Sequence, residues 1–429
     1  MKIAIAGLGT VGAGLVRLLQ ENSTMLEERC GVPINISAVS ARDRSKDRGI
    51  VLGDNVIWFD DPVAMARDAD ADVIVELIGG ADGVALALCE TASAAGRHIV
   101  TANKALIAHH GMRLGEGVET KNLSLGYEAA VAGGIPIIKA LREGFAGNAI
   151  SGLYGILNGT CNYILSTMRE TGREFADVLE DAQKLGYAES DPRFDVDGID
   201  TAHKLAILAS VPFGCRINFN DIAVEGIRNV TALDIQFAEE LGYCIKLLGI
   251  TRRRTTGVEQ RVHPCMVRQA SPIAHVDGVA NAIVAEGDFV GSSVFQGAGA
   301  GAGPTASAVA ADLVDIARES RRPVFSLPVG NLLRLSTIPL DHHVGAYYIR
   351  LMVVDRPGVF ADIAAKLRDE QVSMEAILQH TRAPGEPVPV VLTTHDVNEA
   401  SIKRVVERFA SLDTVVETPC MIRIETLAF

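Results

Sequence analysis

At 429 residues the chain is too long for one hydrophobic core and, at roughly 150 residues per domain, is expected to fold as two to four domains. Apolar residues make up 48% and charged residues 22%, spread evenly enough for each domain to bury a core, which excludes a disordered chain. A formal charge of −13 without a basic run argues against nucleic acid and anionic membrane surfaces, and leaves small polar molecules as the expected partners. The seven cysteines are scattered and show no CxxC spacing, which fits reduced thiols in a cytoplasmic protein and gives no metal cluster. Gly7, Gly9, Gly12 and Gly14 interrupt the apolar start, so no secretory signal is expected. No apolar run reaches membrane-spanning length.

In chain order, residues 2–6, 35–40, 72–77 and 98–101 are short β-branched runs separated by helical patterns. That alternation predicts parallel strands joined by crossovers, an open α/β sheet occupying a first domain of residues 1–130. A second, mixed α/β domain is expected over 131–328. The pieces YYIRLMVV, PGVFADIAAKLRDE, SMEAILQHT, VPVVLTT, NEASIKRVVERFA and VVETPCMIRIE then read as strand, helix, strand, strand, helix, strand. This predicts a ferredoxin-like βαββαβ domain over 345–429, with His342 and His343 as its linker.

Five stretches carry chemistry. The first strand runs into Gly7-Leu8-Gly9-Thr10-Val11-Gly12 and then a helix, where glycines permit a tight turn and bring backbone N–H groups close to a pyrophosphate. The next strand ends at Ser40 with no acidic residue for a ribose hydroxyl. Arg42, Arg44 and Lys46 follow it, interleaved with Asp43 and Asp47, which suits either a 2′-phosphate or a solvated loop. Lys104 lies just past the strand 98–101, where open α/β sheets place their ligands, although a loop lysine is ordinarily exposed. Residues 297–303 are GAGAGAG, either a flexible linker or a backbone cradle ahead of a helix, and the helical pattern after Pro304 favours the cradle.

The richest stretch is 185–210. Glu189, Asp191, Asp195 and Asp197 crowd a loop, and a helix follows from near Ile199. Asp200 and Lys204 are four apart and share a face, while Leu205 to Ala209 are apolar all round, the pattern of a buried helix. A buried lysine is costly unless paired, and burial with a neighbouring charge sets the proton affinity that delivery to an alkoxide requires. A structural ion pair on a half-exposed helix has the same spacing.

The segments GLGTVG (7–12), VELIGG (75–80), TANKALIA (101–108), YEAAVAGGIPII (127–138), GILNGTCNYIL (155–165), LGYAESDPRFDVDGIDTAHKLAILA (185–209) and GAGAGPTASAV (299–309) together resemble the homoserine dehydrogenase family. Cys161 departs from a threonine common in that family. The resemblance implies reversible NAD(P)H-dependent reduction of L-aspartate 4-semialdehyde to L-homoserine, in threonine, methionine and isoleucine biosynthesis. It implies Lys204 as proton donor, Lys104 reaching substrate and cofactor, and Glu189 holding the substrate ammonium. Asp195 and Asp200 would position substrate and lysine, with Asn158, Gly159 and Thr160 as pocket wall. Cofactor contacts would fall on Leu8, Thr10, Val11, Lys104 and Gly303, and Glu128, Val131, Gly133 and Ile135 would bind sodium mainly through backbone oxygens. The helix after Gly303 is expected to pack back on the first domain. The tail resembles an ACT domain, implying an amino-acid effector, threonine first, and the whole chain a homodimer or homotetramer. The carboxylates also fit a dehydrogenase for a different amino-acid aldehyde or hydroxy acid, and an ACT domain alone also fits a non-catalytic sensor.

Overall fold

The computed structural model describes residues 1–380 and 383–427. Strands β1 (Lys2–Ala6), β2 (Asn35–Ser40), β3 (Ile57–Phe59), β4 (Val73–Glu76), β5 (His98–Thr101) and β6 (Leu125–Gly126) form a parallel sheet in the order β3-β2-β1-β4-β5-β6. The chain moves outward from β1 first to one side and then to the other. The carboxyl ends of β1 and β4 therefore border a switch-point crevice. Strands β1, β2 and β5 match their expected bounds, and β4 is one residue shorter at each end than 72–77. The short β3 and β6 were not foreseen, because two or three residues carry no readable alternation.

A second sheet contains β7 (Ile150–Ile156), β8 (Ala223–Val224), β9 (Tyr243–Arg254), β10 (Gly257–Arg268), β11 (Ala280–Gly287) and β12 (Gly291–Ala298). It continues through β13 (Val344–Val354), β14 (Met374–Leu378), β15 (Pro387–Thr394), β16 (Val397–Asn398) and β17 (Cys420–Ile424). The order is β12-β11-β7-β9-β10-β17-β13-β15-β14, with β8 on β10 and β16 on β13. Helix Ile199–Phe213 packs on β7, β9 and β10, and every side chain from Asp200 to Val211 is buried. That total burial is why its apolar residues show no single stripe.

Helix Ala302–Ala317 returns to the first sheet, where Ala306, Val309 and Leu313 share a core with Ile3, Ile5, Leu15 and Val16. Gly14 permits the approach, since an added Cβ would lie 2.9 Å from the Ala302 carbonyl oxygen. The helix begins at Ala302, earlier than the expected 305, so Gly303 sits in its first turn rather than in a loop.

Strands β13, β14, β15 and β17 with helices Val359–Asp369 and Glu399–Ala410 form the expected βαββαβ unit. Thr381, the last residue of the third expected piece, lies outside the described residues. The strands of this unit join the rest of the second sheet through a parallel pairing of β10 with β17, Cys265 opposite Arg423 and Met266 opposite Ile424. The expected linker is a folded joint: Leu340–His342 is a 3-10 turn, His343 is buried, and its carbonyl accepts from Glu399 N at 2.8 Å. Among the described residues, no helix is long and apolar enough to cross a membrane.

Candidate active site

Strand β7 ends at Ile156, and the next two residues turn toward helix Ile199–Phe213. Asn158 caps helix Gly159–Thr171 by accepting from Cys161 N at 2.8 Å, leaving its amide nitrogen to donate to Asp195 (2.7 Å) and Asp200 (2.8 Å). Lys204, one turn beyond Asp200, donates to the same carboxylate oxygen as Asn158: Nζ lies 2.7 Å from Asp200 Oδ2 and 2.6 Å from the Leu157 carbonyl oxygen. Lys104, first residue of helix Lys104–Glu119 at the tip of β5, brings its Nζ to 2.9 Å from Asp200 Oδ1. One carboxylate thus serves two ammoniums. Asp200 and Lys204 side chains are 4% and 10% exposed, whereas Lys104 is 34% exposed and faces the opening.

Burial would raise Asp200, but Lys204 and Lys104 hold it well below the usual carboxylate range. Burial pulls Lys204 below its ordinary value, with Asp200 opposing. For Lys104 burial also acts downward, yet the charges of Asp200, Asp195 and Glu189 carry it above its ordinary value. Burial raises Asp195, its Asn158 hydrogen bond opposing. Two neighbouring lysines with proton affinities pushed apart are suited to different tasks, one to move a proton and one to stay charged.

A cleft of about 490 Å³ opens beside this cluster, lined by Gly79, Gly80, Asn103, Lys104, His109 and Phe194. Lys104 Nζ lies 5.5 Å above the Phe194 ring, and Phe194 in turn stacks on His203, which contacts His109 at 3.1 Å between Nε2 atoms. Burial and then His109 lower His203 to about 4, so it is neutral beside Lys104 at pH 7.

The glycines of the first turn divide by what surrounds them. An added Cβ at Gly7 would meet the Leu77 carbonyl oxygen at 2.4 Å, and one at Gly12 would meet Gly7 O at 2.0 Å. Both therefore serve the packing of strand and helix. Gly9 has no described atom within 4 Å of such a Cβ, and it is the N-cap of helix Thr10–Glu21 without a side-chain cap. Its missing side chain leaves the helix N-terminus at Thr10 and Val11 open to an anion, with the Leu8 side chain buried beside it. Gly303 likewise has open space around its Cβ position. The cradle fits a dinucleotide pyrophosphate.

Arg42 follows β2 and is exposed. Its neighbour Arg48 was missed: Nε donates to Leu8 O at 2.9 Å and the guanidinium lies 5.8 Å from the Trp58 ring centroid, tying the loop after β2 to the glycine turn. The alternating run of cations did extend to position 48, but no spacing rule distinguishes that arginine. Glu189 is exposed, Gly159 starts its helix against Val279 O, and Thr160 donates to Tyr187 O at 2.6 Å.

Glu128, Val131, Gly133 and Ile135 lie together in one buried turn. The Glu128 carboxylate accepts from Ile138 N (2.8 Å) and Lys139 N (2.9 Å), and burial, with Asp312 adding to it, pushes it up to about 7. His263, Cys265 and Glu425 form a separate compact trio, but Arg261 donates to Glu425 at 2.8 Å and to His263 Nε2 at 3.2 Å. A guanidinium already fills the place a metal ion would take.

A phosphate cradle whose crevice leads to a buried lysine able to hold or release a proton is the working end of a dinucleotide-dependent oxidoreductase. Family models give that class a name: the homoserine dehydrogenase NAD binding domain matches residues 7–128, homoserine dehydrogenase matches 136–314, and the ACT domain matches 347–414. The homoserine dehydrogenase of Pseudomonas aeruginosa is 44% identical over 436 residues, covering 100% of this chain and 99% of that one. A crystal structure of a homoserine dehydrogenase from Thiobacillus denitrificans superposes with a TM-score of 0.93 at 43% identity, covering 99% and 98% of the two chains. A hyperthermophilic archaeal homoserine dehydrogenase in complex with NADPH, 25% identical, covers 77% of this chain and 99% of its own with a TM-score of 0.63. The chain belongs to the homoserine dehydrogenase family, NAD(P)-dependent oxidoreductases, and carries a C-terminal ACT domain.

Proposed function

We propose that Lys204 is the proton donor and acceptor for the C4 oxygen in the interconversion of L-aspartate 4-semialdehyde and L-homoserine. The nicotinamide cofactor, when bound, supplies the hydride to the aldehyde carbon. As negative charge grows on the carbonyl oxygen, the Lys204 ammonium stabilises and then protonates it; in the reverse direction the neutral amine takes the hydroxyl proton. Asp200 holds Lys204 in place. Lys104 stays charged at the cleft edge, where it meets substrate and cofactor. Glu189 holds the substrate ammonium, Asp195 positions the substrate, and Asn158, Gly159 and Thr160 form the pocket wall.

The observation that carries this reading is the single buried Asp200 carboxylate shared by Lys204 and Lys104. A spectrophotometric assay of Lys204→Ala tests it. Turnover should fall by about 10²–10⁴, the usual worth of general acid catalysis, with the cofactor dissociation constant unchanged. Near-normal turnover would contradict the assignment.

The finer parts of the reading rest on the same fold. Gly7 to Gly12 and Gly303 cradle the pyrophosphate, with Arg42 receiving a 2′-phosphate, so NADP is the preferred cofactor. A sodium ion is held by main-chain oxygens of Glu128, Val131, Gly133 and Ile135, in a turn where Gly133 at φ 53° allows the chain to curl. Threonine is the ACT-domain effector, the enzyme is a homo-oligomer, dimer or tetramer, and it works in the cytoplasm. The same assay decides the first three points: NADPH against NADH, potassium replacing sodium, and threonine added, where equal rates in any pair would refute that part. Light scattering gives the mass of the oligomer, a monomer refuting it, and cell fractionation gives the compartment.

A further inference from the structure

The turn that carries Asp195 is held from behind by a segment of the catalytic domain that is itself anchored in the ACT domain. Ile227 N donates to Val196 O at 2.9 Å, and Arg228 pairs with Asp197. Gly226 sits so close that an added Cβ would lie 2.2 Å from the Val196 carbonyl oxygen. Glu225 N donates to Val262 O of β10 at 2.8 Å, so segment and strand move together. Val196 is fully buried and adjoins Asp195, whose carboxylate shares the Asn158 amide with Asp200.

The anchor comes from the far end of the chain. Arg423 on β17, 1% exposed, donates to both carboxylate oxygens of Glu225, each at 2.8 Å. Its Nε also donates to Glu399 at 2.9 Å, and Nη2 pairs with the same carboxylate. Glu399 in turn accepts from the Tyr347 hydroxyl at 2.8 Å. A planar guanidinium with two bidentate partners fixes both rigidly, as a lysine could not. Around it stand Arg261, Glu425, Glu259, Lys403 and the neutral His263.

We infer that Glu225, clamped by Arg423 of the ACT domain, is a positioning residue for the substrate turn, acting through Gly226 and Ile227 on Val196 and Asp195. The C-terminal domain is then a structural member of the active site as well as a sensor. Any ligand that shifts β17 would act on substrate affinity through this clamp. The inference rests on the reading that Asp195 borders the substrate.

Steady-state kinetics of the full-length enzyme test it. In Glu225→Ala the guanidinium keeps Glu399, so the fold should persist. The KM for homoserine should rise about tenfold, the scale of one net hydrogen bond, while kcat and the cofactor dissociation constant stay within about twofold. Gly226→Ala, which leaves every ACT contact in place but pushes on Val196, should raise the same KM. A merely structural role would lower the melting temperature and leave KM alone. Unchanged KM in both variants overturns the inference. Asp195→Asn separates the two levels: if it raises KM while the other two do not, only the clamp fails, and if it too leaves KM unchanged, the substrate reading falls and the clamp with it.

Discussion

The cluster around Asp200 and the cluster around Glu425 are both buried and both built from charged side chains, yet the first lies beside the cleft of about 490 Å³ and shares one carboxylate between two lysines. At Glu425 each of these charges has an opposite partner: Arg261 pairs with Glu425 and Glu259, and Arg423 with Glu399 and Glu225. Burial opposes the charged form of Glu425, but Arg261 and its neighbours hold it at about 2. The same pairing raises Arg261 against the cost of its burial. Those protons do not move. At Asp200 one carboxylate is over-subscribed, and the two lysines it serves are driven in opposite directions. Burial and pairing alone make a joint; one carboxylate shared by two lysines beside a cleft makes a centre that can exchange a proton.

The largest effect that can break this comparison is at the joint. Glu425→Gln leaves Arg261 short of its buried partner and should cost about 3–5 kcal/mol in denaturant unfolding, with turnover per folded enzyme unchanged. The loss should depend on pH in a defined direction. A carboxylate depressed to about 2 stabilises the fold above its unfolded value near 4.3, and that contribution fades as pH falls through this window. The gap between wild type and Glu425→Gln should therefore narrow below about pH 4. A gap that stays constant, or a collapse of turnover, would show that the two clusters are not distinct.

A smaller contrast lies within the glycine turn. Gly12→Ala sets a methyl group against Gly7 O and should cost about 1–3 kcal/mol of stability. Gly9→Ala meets no described atom, so stability should hold while the cofactor dissociation constant rises about tenfold, the worth of one backbone contact to phosphate. Isothermal titration with NADPH and NADH measures it, and unchanged affinity in Gly9→Ala would remove the turn from the cofactor site.

What could be read beforehand follows the range of the interactions. The Asp200–Lys204 pair is one helical turn long, and the turn from β1 into its helix is local, so both were legible as spacing. Asn158 reaches Asp200 across 42 residues, and Arg423 reaches Glu225 across 198. Neither has a local pattern, and only the resemblance to the family brought Asn158 into view. Lys104 stood past a strand end with its direction open, and its 2.9 Å contact with Asp200 supplies that direction. The joint at His342 and His343 read as a linker because two polar residues between domains look solvated. The burial of His343 against the β10 and β17 network depends on strand pairing that no short window contains.

The pH dependence of kcat for homoserine oxidation in wild type and Asp200→Asn tests the central claim most directly. Oxidation needs the neutral Lys204 amine, so kcat should rise with pH along a limb set below the ordinary lysine value of about 10.4. Asp200 is the charge that opposes this lowering, so its removal should carry the limb to lower pH, along with a reduced plateau. A reduced plateau with the limb unmoved would contradict the account, because Lys204 would then not be the group whose proton the reaction moves.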